Sequence, residues 1–166
     1  MTLDVDVSVE ADAWSAVADL HDLSHNAIHA VLTETGEAVA PDAEVSLLFC
    51  DDEKIRELNK AWRGMDKPTN VLSFPAVQPG HVAKAPLLGD IVIAFETVQR
   101  ESLEENKHLS DHVSHMVVHG FLHLLGYDHE SDADADKMES AEQRILARLG
   151  IADPYASTVP VGDDQR

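Results

Sequence analysis

The stretch His119–His129, HGFLHLLGYDH, carries three residues whose type and spacing suit metal chemistry. His119 and His123 are four residues apart, so on an α-helix they share a face, about 6 Å apart along the axis. Two neutral imidazoles so placed can reach one zinc-sized ion. Gly126 follows three residues after His123, where a glycine can end the helix in a left-handed conformation at no Cβ cost. The chain can then turn back and bring His129 to the same ion. Three histidines leave the fourth tetrahedral position to water, the layout of a catalytic rather than a structural zinc site.

The register of the helix supports this reading. At about 100° per residue, His108, His112, His115, His119 and His123 fall in one stripe, with Val113, Val117, Phe121, Leu124 and Leu125 roughly opposite. One side can pack in a core while the other lines a site. His115 with His119 is a competing pair, but only the 119/123/129 set uses the glycine turn. A second series, His21, His25 and His29, has no turn or further ligand nearby and reads as a solvated helix face.

Composition narrows the classes. A chain of 166 residues with 44% hydrophobic residues is most simply one soluble domain. Its start, MTLDVDVSVE, lacks the basic and apolar regions of a signal peptide, and no run approaches the ~20 apolar residues of a membrane span. Cys50 is the only cysteine, so no intrachain disulfide forms, and a reducing cytoplasm is the expected location. Twelve basic against 31 acidic residues leave a net charge of −19, which by itself argues against nucleic acid. The basic residues are not evenly spread, however. Lys54, Arg56, Lys60, Arg63 and Lys67 share fourteen residues with only two acids, Glu57 and Asp66. Arg56, Lys60 and Arg63 also fall on one helical face.

The elements that must position these groups can be read in order. Residues 3–9 alternate as a strand with one buried face, and 11–35 carry a helical pattern ending at Gly36. Glu44–Cys50 reads as an inner strand. Asp51 or Asp52 caps a helix to about Trp62, broken by Gly64. Val71–Phe74 is a short strand closed by Pro75. After a polar loop over 78–86, Leu87–Phe95 is the most hydrophobic strand candidate. A helix follows from Thr97 to about Lys107, and Ser110 or Asp111 caps the histidine helix. Ser131 and Asp134 open a last helix, with Met138, Ala141, Ile145 and Leu149 as its core face and Gly150 behind it. The order predicts an α+β (α/β-like) single domain over 1–153. It has a mixed sheet of about four strands, a central metal-binding helix and a flexible tail over 154–166.

Three ordered motifs, RGMDKPTNVLSFP, LLGDIVIA and HGFLHLLGYDH, together resemble the YbeY family of bacterial endoribonucleases, also called rRNA maturation factors. The likeness runs from about Glu44 to Tyr155. It implies one zinc ion on His119, His123 and His129, and a functional arginine at Arg63. It also implies cleavage of single-stranded RNA, maturation of the small-subunit rRNA 3′ end and ribosome quality control. Family members often carry Asp after the threonine, where this chain has Asn70, so Asn70 is assigned no chemical role.

The chemistry fits. Zinc on three neutral histidines can lower the pKa of bound water to about 7 and polarise a phosphoryl oxygen. A planar arginine can pair with two oxygens of a phosphodiester as charge builds on them, which suits Arg63, with Lys60 and Lys67 steering the backbone. The general base and the attacking group, water or 2′-OH, are not identified. One rival is a zinc protease, because H-x3-H-x2-G-x2-H is also metzincin spacing. Those enzymes place a glutamate base directly after the first histidine, where this chain has Gly120. The other rival is a non-catalytic, zinc-stabilised assembly factor that binds a ribosomal protein, which the net charge of −19 would suit.

Overall fold

A computed structural model of the chain describes residues 3–78 and 80–155. Eleven further residues at the C-terminus, 156–166, which make up most of the expected tail, lie outside the described residues. The sheet has four strands, β1 (Asp4–Val9), β2 (Glu44–Cys50), β3 (Val71–Pro75) and β4 (Leu87–Ala94), in the order β1-β2-β4-β3. β1, β2 and β4 run parallel, and β3 is antiparallel to β4 at the edge. The five helices are α1 (Leu20–Thr35), α2 (Asp52–Arg63), α3 (Phe95–Glu104), α4 (Leu109–Leu124) and α5 (Asp132–Arg148). This is the mixed-sheet α+β fold the sequence predicts.

β4 is covered on both faces, which is why it reads as an almost unbroken apolar run. Ile91 and Ile93 join the large core that α1, α4 and α5 build with Val45, Leu47 and Phe49. Val92 and Ala94 point the other way, into a small core with Leu72, Cys50 and Ile55 of α2. α2 and α4 therefore lie on opposite faces of the sheet. Among the described residues no helix is long and apolar enough to cross a membrane.

Several local signals act as expected. Asp51 accepts a hydrogen bond from the Lys54 amide at 2.9 Å, and Ser131 one from the Asp134 amide at 3.1 Å, each capping a helix. His21, His25 and His29 are all exposed on α1.

Three expectations need correction. The helical pattern over 11–35 is two elements, a 3₁₀ turn at Asp12–Ala16 and then α1, separated by Asp19 at φ 54°. The break follows from Trp14. Its indole is buried edge-on to Phe49 and Phe95 at centroid distances of 4.9 and 5.1 Å, and its Nε1 donates to the Cys50 carbonyl at 2.8 Å. A helix continuous with α1 would have to give up that anchorage. The histidine helix begins at Leu109 with His108 in the cap position, and neither Ser110 nor Asp111 caps it. α3 starts at Phe95, not Thr97, and stops at Glu104. The Thr97 amide and hydroxyl are instead bonded to Asp52 Oδ1, which ties the start of α3 to the start of α2.

Candidate metal centre

His119 and His123 stand on the last two turns of α4, half-buried, and His129 stands on the loop beyond it, exposed. Gly126 makes that loop possible: its φ of 105° is one that residues with a Cβ rarely adopt. Its amide donates to the His123 carbonyl at 3.0 Å, and the Tyr127 amide reaches back to the Leu122 carbonyl at 3.0 Å. The chain thus reverses within one helical turn. The rings of His119 and His129 stack at 5.1 Å, and that of His123 lies 4.7 and 4.9 Å from them. One ligand nitrogen from each of the three lies within 4.8 Å of the others, so the cluster could hold a metal ion. Among the described residues no other set of three His, Cys, Asp or Glu does so.

What the sequence did not reveal is Glu142, on α5. Its side chain is fully buried and accepts three hydrogen bonds, from His115 Nε2 at 2.8 Å, His119 Nδ1 at 2.7 Å and the Tyr155 hydroxyl at 2.5 Å. Burial works against charge on this carboxyl, but the bonds from His115 and His119 outweigh it and hold its pKa well below the ordinary range. A carboxylate at His119 Nδ1 fixes the N–H there and leaves the lone pair on Nε2. That Nε2 faces His123 Nε2 at 3.2 Å. Two nitrogens bound tetrahedrally at about 2.0–2.1 Å from one zinc ion would sit at nearly that separation. Burial first, then the neighbouring His119 and His129, push the His123 pKa down to about 4, so its ring is a neutral donor at cellular pH. The donor set fits a divalent metal.

Glu142 had a readable signal. It lies on the same stripe as Met138, Ile145 and Leu149, and a carboxylate at a core position must find partners. Tyr155, two residues past the expected end of the folded part, is one of those partners.

The histidine stripe of α4 is otherwise not one site, contrary to the expectation of a packed side and an open side. α4 is enclosed by α1, α3, α5, β3 and β4, so His112 and His115 are buried too. His115 is spent on Glu142, and burial pushes it toward the neutral form against that carboxylate's pull. With Nε2–H donated to Glu142, its buried Nδ1 has no partner among the described residues. The competing His115–His119 pair is thereby set aside. His112 Nε2 bonds Glu101 at 2.8 Å. Asn70, assigned no chemical role, has a structural one. Its Nδ2 donates to both Glu101 oxygens at 3.1 and 3.2 Å, and its Oδ1 accepts from the Val71 amide at 2.7 Å. Burial opposes the charge of Glu101, but His112 and Asn70 hold its carboxyl below the usual range.

Gly120 also has a structural reason. A Cβ there would stand 2.7 Å from Ile91 Cγ2 and 3.2 Å from Ser73 Oγ. The position after the first histidine thus points into the sheet and not toward the imidazole cluster. A metzincin-style glutamate has no room there, and the protease reading loses its base on steric grounds as well.

Lys60, Arg63 and Lys67 are exposed and stand apart from the imidazole cluster, around the end of α2 on the other face of the sheet. None of the three makes an ion pair among the described residues. The turn behind Arg63 is pinned. Buried Asn59 donates to the Lys67 carbonyl at 2.9 Å, and Arg56 holds Asp66 at 2.7 Å. Edge strand β3 lies between this turn and α4. Ser73 Oγ donates to the Gly120 carbonyl at 3.1 Å on one face, while Phe74, on the other, meets the Trp62 ring at 6.2 Å.

The comparisons agree with this architecture. A family model described as endoribonuclease YbeY matches residues 8–150. Proteins called endoribonuclease YbeY from Methylocella silvestris and Allorhizobium ampelinum are 50% and 52% identical, each over 96% of this chain and over 90% and 98% of their own lengths. One from a Bradyrhizobium species is 53% identical over 91% of both. A Thermotoga maritima protein solved in solution is similar over 96% of this chain and 99% of its own, with 25% identity and a TM-score of 0.56. Matched by that family model over most of its length, and half identical to these curated relatives, the chain belongs to the YbeY endoribonuclease family.

Proposed function

We propose that the protein is a zinc-dependent endoribonuclease that cuts single-stranded RNA in the cytoplasm. Its role is in maturation of the small-subunit rRNA 3′ end and in ribosome quality control. The observation that carries the reading is the cluster of His119, His123 and His129, with the His119 tautomer set by buried Glu142, in a chain of this family. His119, His123 and His129 are the proposed ligands of one zinc ion per chain. Zinc bound there supplies Lewis-acid chemistry to a phosphodiester. Glu142 keeps the His119 Nε2 lone pair free and aimed at the cluster. Arg63, from the α2 side of the sheet, offers a planar, permanently charged fork to a phosphate of the bound strand. Lys60 and Lys67 draw the backbone along the same side.

The test is cleavage of a labelled single-stranded RNA with zinc measured on the same samples. Wild type is expected to hold about one zinc and cut. His123→Ala loses both metal and cutting, and Arg63→Ala keeps the metal but loses cutting. Equal activity in all three samples points to a contaminant and sinks the proposal. A second reading, an assembly factor that binds a basic ribosomal protein without cutting, has the net charge of −19 in its favour. It predicts that all three samples are inert while wild type still holds zinc.

A further inference from the structure

Trp62 is 71% exposed, at the C-terminal end of α2. Tryptophan is highly buried on average and is enriched at binding interfaces. The other tryptophan, Trp14, is 1% exposed and hydrogen-bonded. Trp62 rests edge-on against Phe74, with ring centroids at 6.2 Å and planes at 63°, which braces the indole and leaves most of its surface open. Met65, 38% exposed, lies just beyond it in the pinned turn. Lys60 and Arg63 share the last turn of α2 with Trp62, and Lys67 follows in the turn that holds Met65, in a chain that is otherwise strongly acidic.

The patch lies at the edge of the sheet, on the face opposite α4. Phe74 pairs with Asp90 and Ser73 with Ile91, so neighbouring residues of β3 mark one level of the sheet. At that level Phe74 holds Trp62 on one face, and Ser73 holds the Gly120 carbonyl, one residue from His119, on the other. β3 is an edge strand. A single-stranded nucleic acid meets both demands of the patch. Its bases stack on aromatic rings, and its phosphates pair with the neighbouring cations.

We infer that Trp62 is a base-stacking platform for single-stranded RNA. It would hold an unstacked base beside the phosphate that Arg63 binds. This rests on the endoribonuclease reading and adds a source for its preference for single strands. A duplex hides its base faces from an indole, whereas every unpaired base offers one.

The two tryptophans give the experiment its probe. Zinc-loaded protein is mixed with an oligouridylate of about eight nucleotides in a stopped-flow fluorimeter, so that binding is read before cleavage. Inorganic polyphosphate serves as the polyanion without bases. Oligouridylate is expected to quench the Trp62 emission and polyphosphate to leave it nearly unchanged. Trp62→Ala should weaken oligouridylate binding, read by anisotropy of a labelled strand, by roughly 5- to 150-fold. Trp62→Phe should recover most of that. Trp62→Ala removes no charge, so its salt dependence should match wild type, whereas Arg63→Ala should lower the slope of log K against log salt by about one. Trp62 lies outside the core, so Trp62→Ala should fold as wild type does, and its melting temperature checks this. If oligouridylate binds with the usual salt dependence but Trp62→Ala binds as wild type does and no quenching occurs, the stacking role is overturned while the nuclease reading stands. The indole would then be a protein contact. If wild type binds no oligouridylate at all, the single-strand reading fails and takes this inference with it.

Discussion

Glu142→Gln removes one charge from the middle of the molecule with almost no change of shape. The carboxylate is fully buried and accepts from His115, His119 and Tyr155. A glutamine offers one acceptor oxygen and one NH₂. If the NH₂ faces His119, Nδ1 must become an acceptor, which puts the N–H on Nε2 and removes the lone pair from the metal cluster. If it faces His115, that ring must carry its N–H on Nδ1, a buried atom with no partner among the described residues. Leaving such a donor unpaired costs about 1–3 kcal/mol. In either arrangement His119 loses an anionic partner, and losses of that kind weaken metal binding by about 10- to 100-fold, or about 1.4–2.7 kcal/mol. Stability without metal should change less, because neutralising the group also relieves the desolvation of a buried charge. The assay is competition for zinc between the protein and a calibrated chelator at neutral pH, with denaturant unfolding of the chelated proteins alongside. Zinc affinity within about twofold of wild type would show that the Glu142–His119 bond does not set the tautomer, and the reasoning about this site would fail.

Four further outcomes follow. Gly120→Ala should destabilise by about 1–3 kcal/mol, because its Cβ would meet Ile91 Cγ2 at 2.7 Å in the layer between α4 and the sheet; an unchanged denaturation midpoint would contradict that packing. Asn70→Asp sets a second carboxylate against Glu101 and should destabilise at neutral pH by about 1–2 kcal/mol, with the loss shrinking as the pH falls and one of the two takes up a proton. Cys50, 1% exposed, has its thiol pushed up to about 12 by burial and then by Asp51. It should therefore resist thiol reagents in the native protein at mildly alkaline pH and react after unfolding. Because the unfolded thiol ionises from its ordinary value of 9.0, stability should also decline as the pH rises above that value, and Cys50→Ala should remove that decline. On the acid side, His115 and Glu142 both have lowered folded values. The histidine contribution is lost as the pH falls below its ordinary 6.5 and remains in Glu142→Gln, whereas that of the carboxylate is lost only below its ordinary 4.5. Metal-free wild type should therefore weaken more steeply than Glu142→Gln in that lower range in pH-dependent melts.

The imidazole cluster was legible in the sequence because it is local. His119, His123 and the turn at Gly126 need only helical spacing and one backbone conformation to meet, and these are properties of neighbouring residues. The same holds for the caps at Asp51 and Ser131 and for the strands, whose alternation or unbroken apolarity reports how many faces are covered. Long-range partners decided the rest. Glu142 is 23 residues from His119, and no spacing rule links them; only the packing of α5 on α4 makes that carboxylate the setter of the histidine tautomer. His112 and His115 look like members of the site until α3 and α5 enclose them. Trp14 breaks a helical pattern because its ring fits under β2, and Gly120 is glycine because α4 lies that close to Ile91. The sequence by itself determined which side chains can bind a metal, since ligand identity and local spacing set that. The tertiary structure decided which of them are committed to buried carboxylates, and that the cationic turn of α2 and the histidines of α4 lie on opposite faces of the sheet. Those are contacts between surfaces, which hydrophobic burial brings together and one-dimensional spacing does not encode.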